Sequence, residues 1–117
     1  MKDTETSVGE LKSAVREFIH ERDWEKYHNP KDIAESICIE AAELLQLFQW
    51  TKPEDSARFK TDLVKVKEIK GELADIVIYC LSLANTLGID MTETVLTKIE
   101  RNKKKYPANL YKGKARI

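Results

Sequence analysis

The sequence predicts an all-α fold, a four-helix bundle that assembles as a homo-oligomer. Three observations carry this expectation. Apolar residues recur at helical spacing in four long stretches, and no stretch alternates apolar and polar residues between tight hairpin turns. Glycine and proline are scarce, four and three in 117 residues, and they fall where helices should start or stop. The connections between the four stretches are short, as in a bundle.

Ser7-Val8-Gly9-Glu10 has the spacing of a capping box, after which Leu11, Val15, Phe18 and Ile19 mark a first helix over about 8–23. Asn29-Pro30 is an N-cap followed by proline in the first turn. It opens a second helix that reaches roughly Trp50 before Thr51-Lys52-Pro53-Glu54 breaks it. A short helical or irregular segment precedes a long helix over about 61–87, which Gly88 stops. Asp90-Met91-Thr92-Glu93 is a further capping-type start, and the last helix continues to about 105, before Pro107. From Ile76 to Gly88 the third long helix carries no charge. A helix apolar on all sides needs burial on all sides, which a small monomer cannot supply, hence the expected oligomer.

The length suits one domain over residues 1–117. Twenty Lys and Arg balance 20 Asp and Glu, and this neutrality speaks against nucleic acid as a partner. No apolar run approaches the ~18 residues of a membrane span, and the first residues lack the features of a signal peptide. Cys38 and Cys80 lie in apolar helical stretches without CxxC spacing, so they read as two reduced, buried thiols of a cytoplasmic protein. The balance conceals a split: after residue 100 there are seven bases and no acid. Such blocks of like charge often serve as interaction surfaces.

Between Ser36 and Trp50 the only charged residues are Glu40 and Glu43, set among Ile37, Ile39, Leu44 and Leu45. Glu72 and Asp75 repeat the i, i+3 spacing on the third long helix. Each pair lies on one helix face. A solvated acidic face is the usual reading of such a pair. Here, four carboxylates in apolar surroundings without basic neighbours would repel or protonate, and a divalent cation removes both penalties. Oxygen donors alone suit Mg²⁺, with Mn²⁺ as a substitute. Extending the two faces adds Leu47 and Trp50 on one side and Tyr79 on the other. These rings are either core or one wall of a site for a ligand with a planar part and an anionic part, such as a nucleoside triphosphate. Lys98, Asn102 and Lys105 share a face of the last helix and supply the donors that phosphate oxygens require.

Two other readings compete. A di-iron carboxylate bundle needs Glu-x-x-His pairs on separate helices. Glu17/His20 and Glu25/His28 have the spacing but lie too close in sequence to face one another. A non-catalytic interaction module would use the acidic and basic faces only to bind partners.

Five blocks in order, Glu21-Arg22-Asp23-Trp24, Glu40/Glu43, Phe48-Gln49-Trp50, Glu72/Asp75 and the tail Lys98 to Leu110, resemble the MazG-like all-α nucleoside triphosphate pyrophosphatases. The tail is most similar to the dCTP pyrophosphatase branch, and the resemblance spans about residues 10–116. It implies a magnesium-dependent hydrolase acting on (deoxy)nucleoside triphosphates, dCTP or a modified pyrimidine analogue, to give monophosphate and pyrophosphate in nucleotide-pool house-cleaning. Glu40, Glu43, Glu72 and Asp75 match the metal ligands, and Glu43 is the group expected to take the water's proton. Trp24, the stretch to His28, Trp50 and Tyr79 match positions around the nucleotide. Lys98, Asn102 and Lys105 match the face that meets the phosphates. The resemblance also implies dimers or tetramers, the homotetramer being the form expected. One departure stands out: Val15 occupies a position where close relatives carry a histidine near the base, which puts cytosine preference in doubt. Lys112, Lys114 and Arg116 remain without an assigned role.

Overall fold

The computed structural model describes residues 1–115, and Arg116 lies outside them. The described residues form six α-helices, α1 (Val8–Glu21), α2 (Pro30–Gln46), α3 (Pro53–Ser56), α4 (Leu63–Leu87), α5 (Met91–Lys105) and α6 (Ala108–Tyr111), with 3₁₀ turns at Glu25–Tyr27 and Ala57–Thr61. They contain no strand.

The helix starts follow the side chains that cap them. Ser7 Oγ accepts from the Glu10 amide at 3.1 Å, and Asn29 Oδ1 accepts from Asp32 at 3.0 Å with Pro30 in the first turn. Asp62 and Asp90 cap α4 and α5 in the same way. Each cap satisfies an amide that the helix cannot. Asn29→Ala should therefore lower stability by about 1 kcal/mol, read as a lower urea midpoint at unchanged m-value.

The first helix ends two residues before the expected position because Asp23 adopts a left-handed backbone, φ 53°. The Trp24 amide then reaches the Ile19 carbonyl (3.1 Å) and the Asp23 amide reaches that of His20 (3.0 Å). This is a Schellman stop, closed by the edge-on contact of Trp24 with Phe18 at 5.8 Å. Gly88, φ 66°, ends α4 by the same device. The second helix also ends early, at Gln46 rather than near Trp50. Its last turn tightens, with Leu47 and Phe48 bonding three residues back, and Phe48 turns to meet the Phe59 ring at 5.3 Å. A tertiary contact thus wins over continued helical spacing.

The most extensive packing is between α2 and α4, and α1 lies against α4. Val15, Ile19 and Leu81 form a buried cluster with Met91 against it, and Ile33 and Ala84 are also buried. The axis turns by 102° between α4 and α5. Beyond it, α5 packs extensively on none of the other elements and leaves Val95, Leu96 and Ile99 exposed. The radius of gyration is 17.3 Å, against about 13 Å for a compact domain of this length, so the protomer is open. The uncharged part of α4 is buried on one side only. Leu81, Ser82 and Ala84 are covered, whereas Val77, Ile78 and Leu87 are exposed. Val77 and Ile78, with Ala74 on the same helix, line an apolar groove of about 420 Å³ together with Leu11, Ala14 and Phe18 of α1. The two thiols are not both buried as expected: Cys80 is half-buried and Cys38, on α2, is exposed. Among the described residues, no single helix is long and apolar enough to cross a membrane.

Candidate functional site

The packing of α2 on α4 sets three carboxylates against one another. Carboxylate oxygens of Glu40, Glu43 and Glu72 lie within 4.8 Å of each other. Glu40 and Glu43 are one turn apart on α2, as the i, i+3 spacing requires, and Glu72 faces them from α4. Asp75 stands at the edge of this cluster, exposed, close enough for its charge to act on both Glu40 and Glu72. No lysine or arginine pairs with any of the four among the described ion pairs.

The electrostatics follow from that crowding. Glu40 is raised from its ordinary range to about 7, first by loss of water, then by the hydrogen bond and charge of Glu43 and the charge of Asp75. Glu72 is raised for the same leading reason, with Glu43 next. One oxygen of each, Oε2 of Glu40 and Oε2 of Glu72, is sealed from water and has no hydrogen-bond partner. Buried acceptors are rarely left in this state. The arrangement can hold a metal ion, and a donor set of oxygens without cysteine or histidine fits a hard divalent cation.

Of the aromatic residues, Tyr79 and His28 come together. Their rings stack at 6.0 Å with planes 17° apart, one turn beyond Asp75 on α4. Trp24 caps the end of α1 and is partly exposed. Trp50 lies beyond the end of α2 and is 91 % exposed, so it does not extend the face of Glu40 and Glu43 along the helix. Lys98, Asn102 and Lys105 share a face of α5, with Lys98 and Lys105 exposed and Lys105 over the Tyr106 ring at 5.4 Å. His20 pairs with Glu25 at 3.1 Å, an exposed contact that raises His20 and lowers Glu25. None of Glu17, His20, Glu25 and His28 belongs to the carboxylate cluster, and the two Glu-x-x-His pairs build no second set of ligands across a core.

Sequence reasoning missed a polar strip on α4. Ser82, Asn85 and Thr86 line, with Arg16 and His28, a cavity of about 720 Å³. Arg16 Nη2 donates to Asn85 Oδ1 at 3.0 Å, and Asn85 Nδ2 donates to the Lys12 carbonyl at 2.9 Å. The signal was present as three uncharged polar residues at i, i+3 and i+4 inside an apolar stretch.

The model of the MazG-like family matches residues 35–115. The chain is 32 % identical over 112 residues to dCTP pyrophosphatase 1 of Bos taurus and 30 % identical over 112 residues to that of Homo sapiens. Each match takes in 96 % of this chain and 66 % of the relative, so the chain spans slightly under two thirds of those proteins. The crystal structure of a pyrophosphatase from Archaeoglobus fulgidus superposes with a TM-score of 0.78 at 41 % identity, covering 92 % of this chain and 98 % of that one. The matched residues include Glu40, Glu43, Glu72 and Asp75, and the chain belongs to the MazG-like family.

Proposed function

We propose that the protein hydrolyses (deoxy)nucleoside triphosphates, dCTP or a modified pyrimidine analogue, to the monophosphate and pyrophosphate. The observation that carries this reading is the cluster of Glu40, Glu43 and Glu72 with its two sealed, unpartnered oxygens. The dCTP pyrophosphatase relatives and the archaeal pyrophosphatase support the reaction class. Glu40, Glu43, Glu72 and Asp75 would hold Mg²⁺, or Mn²⁺ in its place. When bound, the ion supplies Lewis-acid neutralisation of phosphate charge.

The chain's own groups do the rest. Water adds across the α–β anhydride bond, its oxygen staying on one phosphate and its protons passing to a carboxylate and to solvent. Glu43 takes the first of them. Trp24, His28, Trp50 and Tyr79 pack against the nucleoside, and Lys98, Asn102 and Lys105 meet the phosphates and offset charge as pyrophosphate leaves. The open protomer, the exposed apolar groove and the unpacked α5 support assembly as a homodimer or homotetramer.

Incubation of the purified chain with Mg²⁺ and a panel of ordinary and modified nucleotides tests the reading. Monophosphate and pyrophosphate in equal amounts is the expected outcome. No turnover of any nucleotide overturns the enzyme reading. Release of inorganic phosphate alone overturns the choice of bond.

A further inference from the structure

Ser82 is the one buried polar side chain among the described residues, 2 % exposed, in the stretch of α4 that otherwise supplies the core. A buried hydroxyl without a partner is costly, so its place in this stretch needs a reason. Its Oγ lies 3.0 Å from Nδ1 of His28, 54 positions away in sequence. Thr86, one turn further along α4, ties the same two residues together. Its hydroxyl donates to the Ser82 carbonyl at 2.9 Å and approaches the His28 carbonyl at 3.4 Å. The ring so held is the one that stacks on Tyr79.

We propose that Ser82, braced by Thr86, is a positioning residue that fixes the His28 ring parallel to Tyr79 and so shapes the wall on which the nucleoside end of the substrate packs. The inference rests on the nucleotide reading of the site. The placement along α4 agrees with it. Asp75, Tyr79 and Ser82 follow one another on a single helix face, and Ser82 stands about 10 Å beyond Asp75 at 1.5 Å per residue. That order puts rings and cavity past the carboxylates, as the base lies past the phosphates of a nucleotide. With Nδ1 engaged by Ser82, Nε2 is the ring nitrogen left to a ligand in the cavity that His28 lines with Arg16 and Asn85. The hydroxyl touches no reacting atom and acts only through His28.

Steady-state kinetics of the full chain with dCTP and Mg²⁺ provide the test. Ser82→Ala should raise KM about tenfold while kcat stays within about threefold, because the wall binds ground state and transition state alike. Thr86→Val should move KM in the same direction by less, and it keeps the side-chain volume should Ser82→Ala fail to fold. In a His28→Ala background Ser82→Ala should have no further effect on KM, since the two act as one unit. The ¹⁵N signals of the His28 ring should shift in Ser82→Ala while those of His20 stay. An unchanged KM in Ser82→Ala, or an equal effect with and without His28, overturns the inference and leaves the function standing. A wild-type chain that turns over no nucleotide overturns both.

Discussion

Replacing Glu43 with glutamine should cut metal-dependent pyrophosphate release at least 100-fold, about 2.7 kcal/mol of barrier, and at the same time raise the melting temperature of the metal-free protein by a few degrees. The two effects have one cause. Glu43 is the largest side-chain influence, after loss of water, on both carboxylates that are held above their ordinary range, Glu40 and Glu72. An amide in its place removes a negative charge from the cluster and brings N–H donors to oxygens that lack partners. The folded chain loses repulsion, while the proposed site loses a charged oxygen donor and the group that takes the water's proton. A carboxylate serving the fold alone behaves in the opposite way, since its removal lowers stability. Pyrophosphate release and thermal melts with and without Mg²⁺ separate the cases. Retained activity, or a lower melting temperature in the metal-free variant, rules out the proposed role.

The parts of the molecule that sequence made legible are those governed by local rules. Ser7, Asn29 and Asp90 cap helices where the spacing placed them, and Gly88 stops α4 with the positive φ expected of it. Glu40 and Glu43 share a face because 3.6-residue periodicity requires it, and their apolar neighbours signalled the cost of leaving them unpaired. What sequence hid depends on contacts distant in the chain. Phe48 leaves the helical path to meet Phe59, and this ends α2 before Trp50. Asp23 takes the left-handed stop that glycine usually fills, an option of its short polar side chain that spacing does not reveal. Ser82 and Thr86 are hidden in the sequence because the strip facing His28 is polar but neutral, inside a stretch from Ile76 to Gly88 that carries no charge. The direction of α5 was the least legible feature. Its amphipathic pattern does not state whether the apolar side meets its own protomer or another.

The stability of the metal-free protein should fall as pH rises from 5 to 8, and Mg²⁺ should restore it most at the upper end. Glu40 is held near 7 in the folded chain against an ordinary value of 4.5, so the folded state keeps a proton there that the unfolded state gives up. Its contribution is fully present below about 4.5 and is lost as pH passes through about 7. Glu72, shifted in the same direction, adds to the slope. His20 is raised too, so the stability of its pair with Glu25 is also lost with rising pH, whereas the lowered Glu25 loses its share only in acid. A His20→Asn variant removes that exposed pair and should leave most of the slope, whereas Glu40→Gln should flatten it. A cation needs the deprotonated carboxylates, so its binding competes with the proton and strengthens with pH. At free Mg²⁺ 100 times its Kd, stabilisation is about 2.7 kcal/mol. The gap between melting temperatures with and without Mg²⁺ should therefore be small at pH 5 and wide at pH 8. An equal gap at both ends would place the ion elsewhere than on these carboxylates.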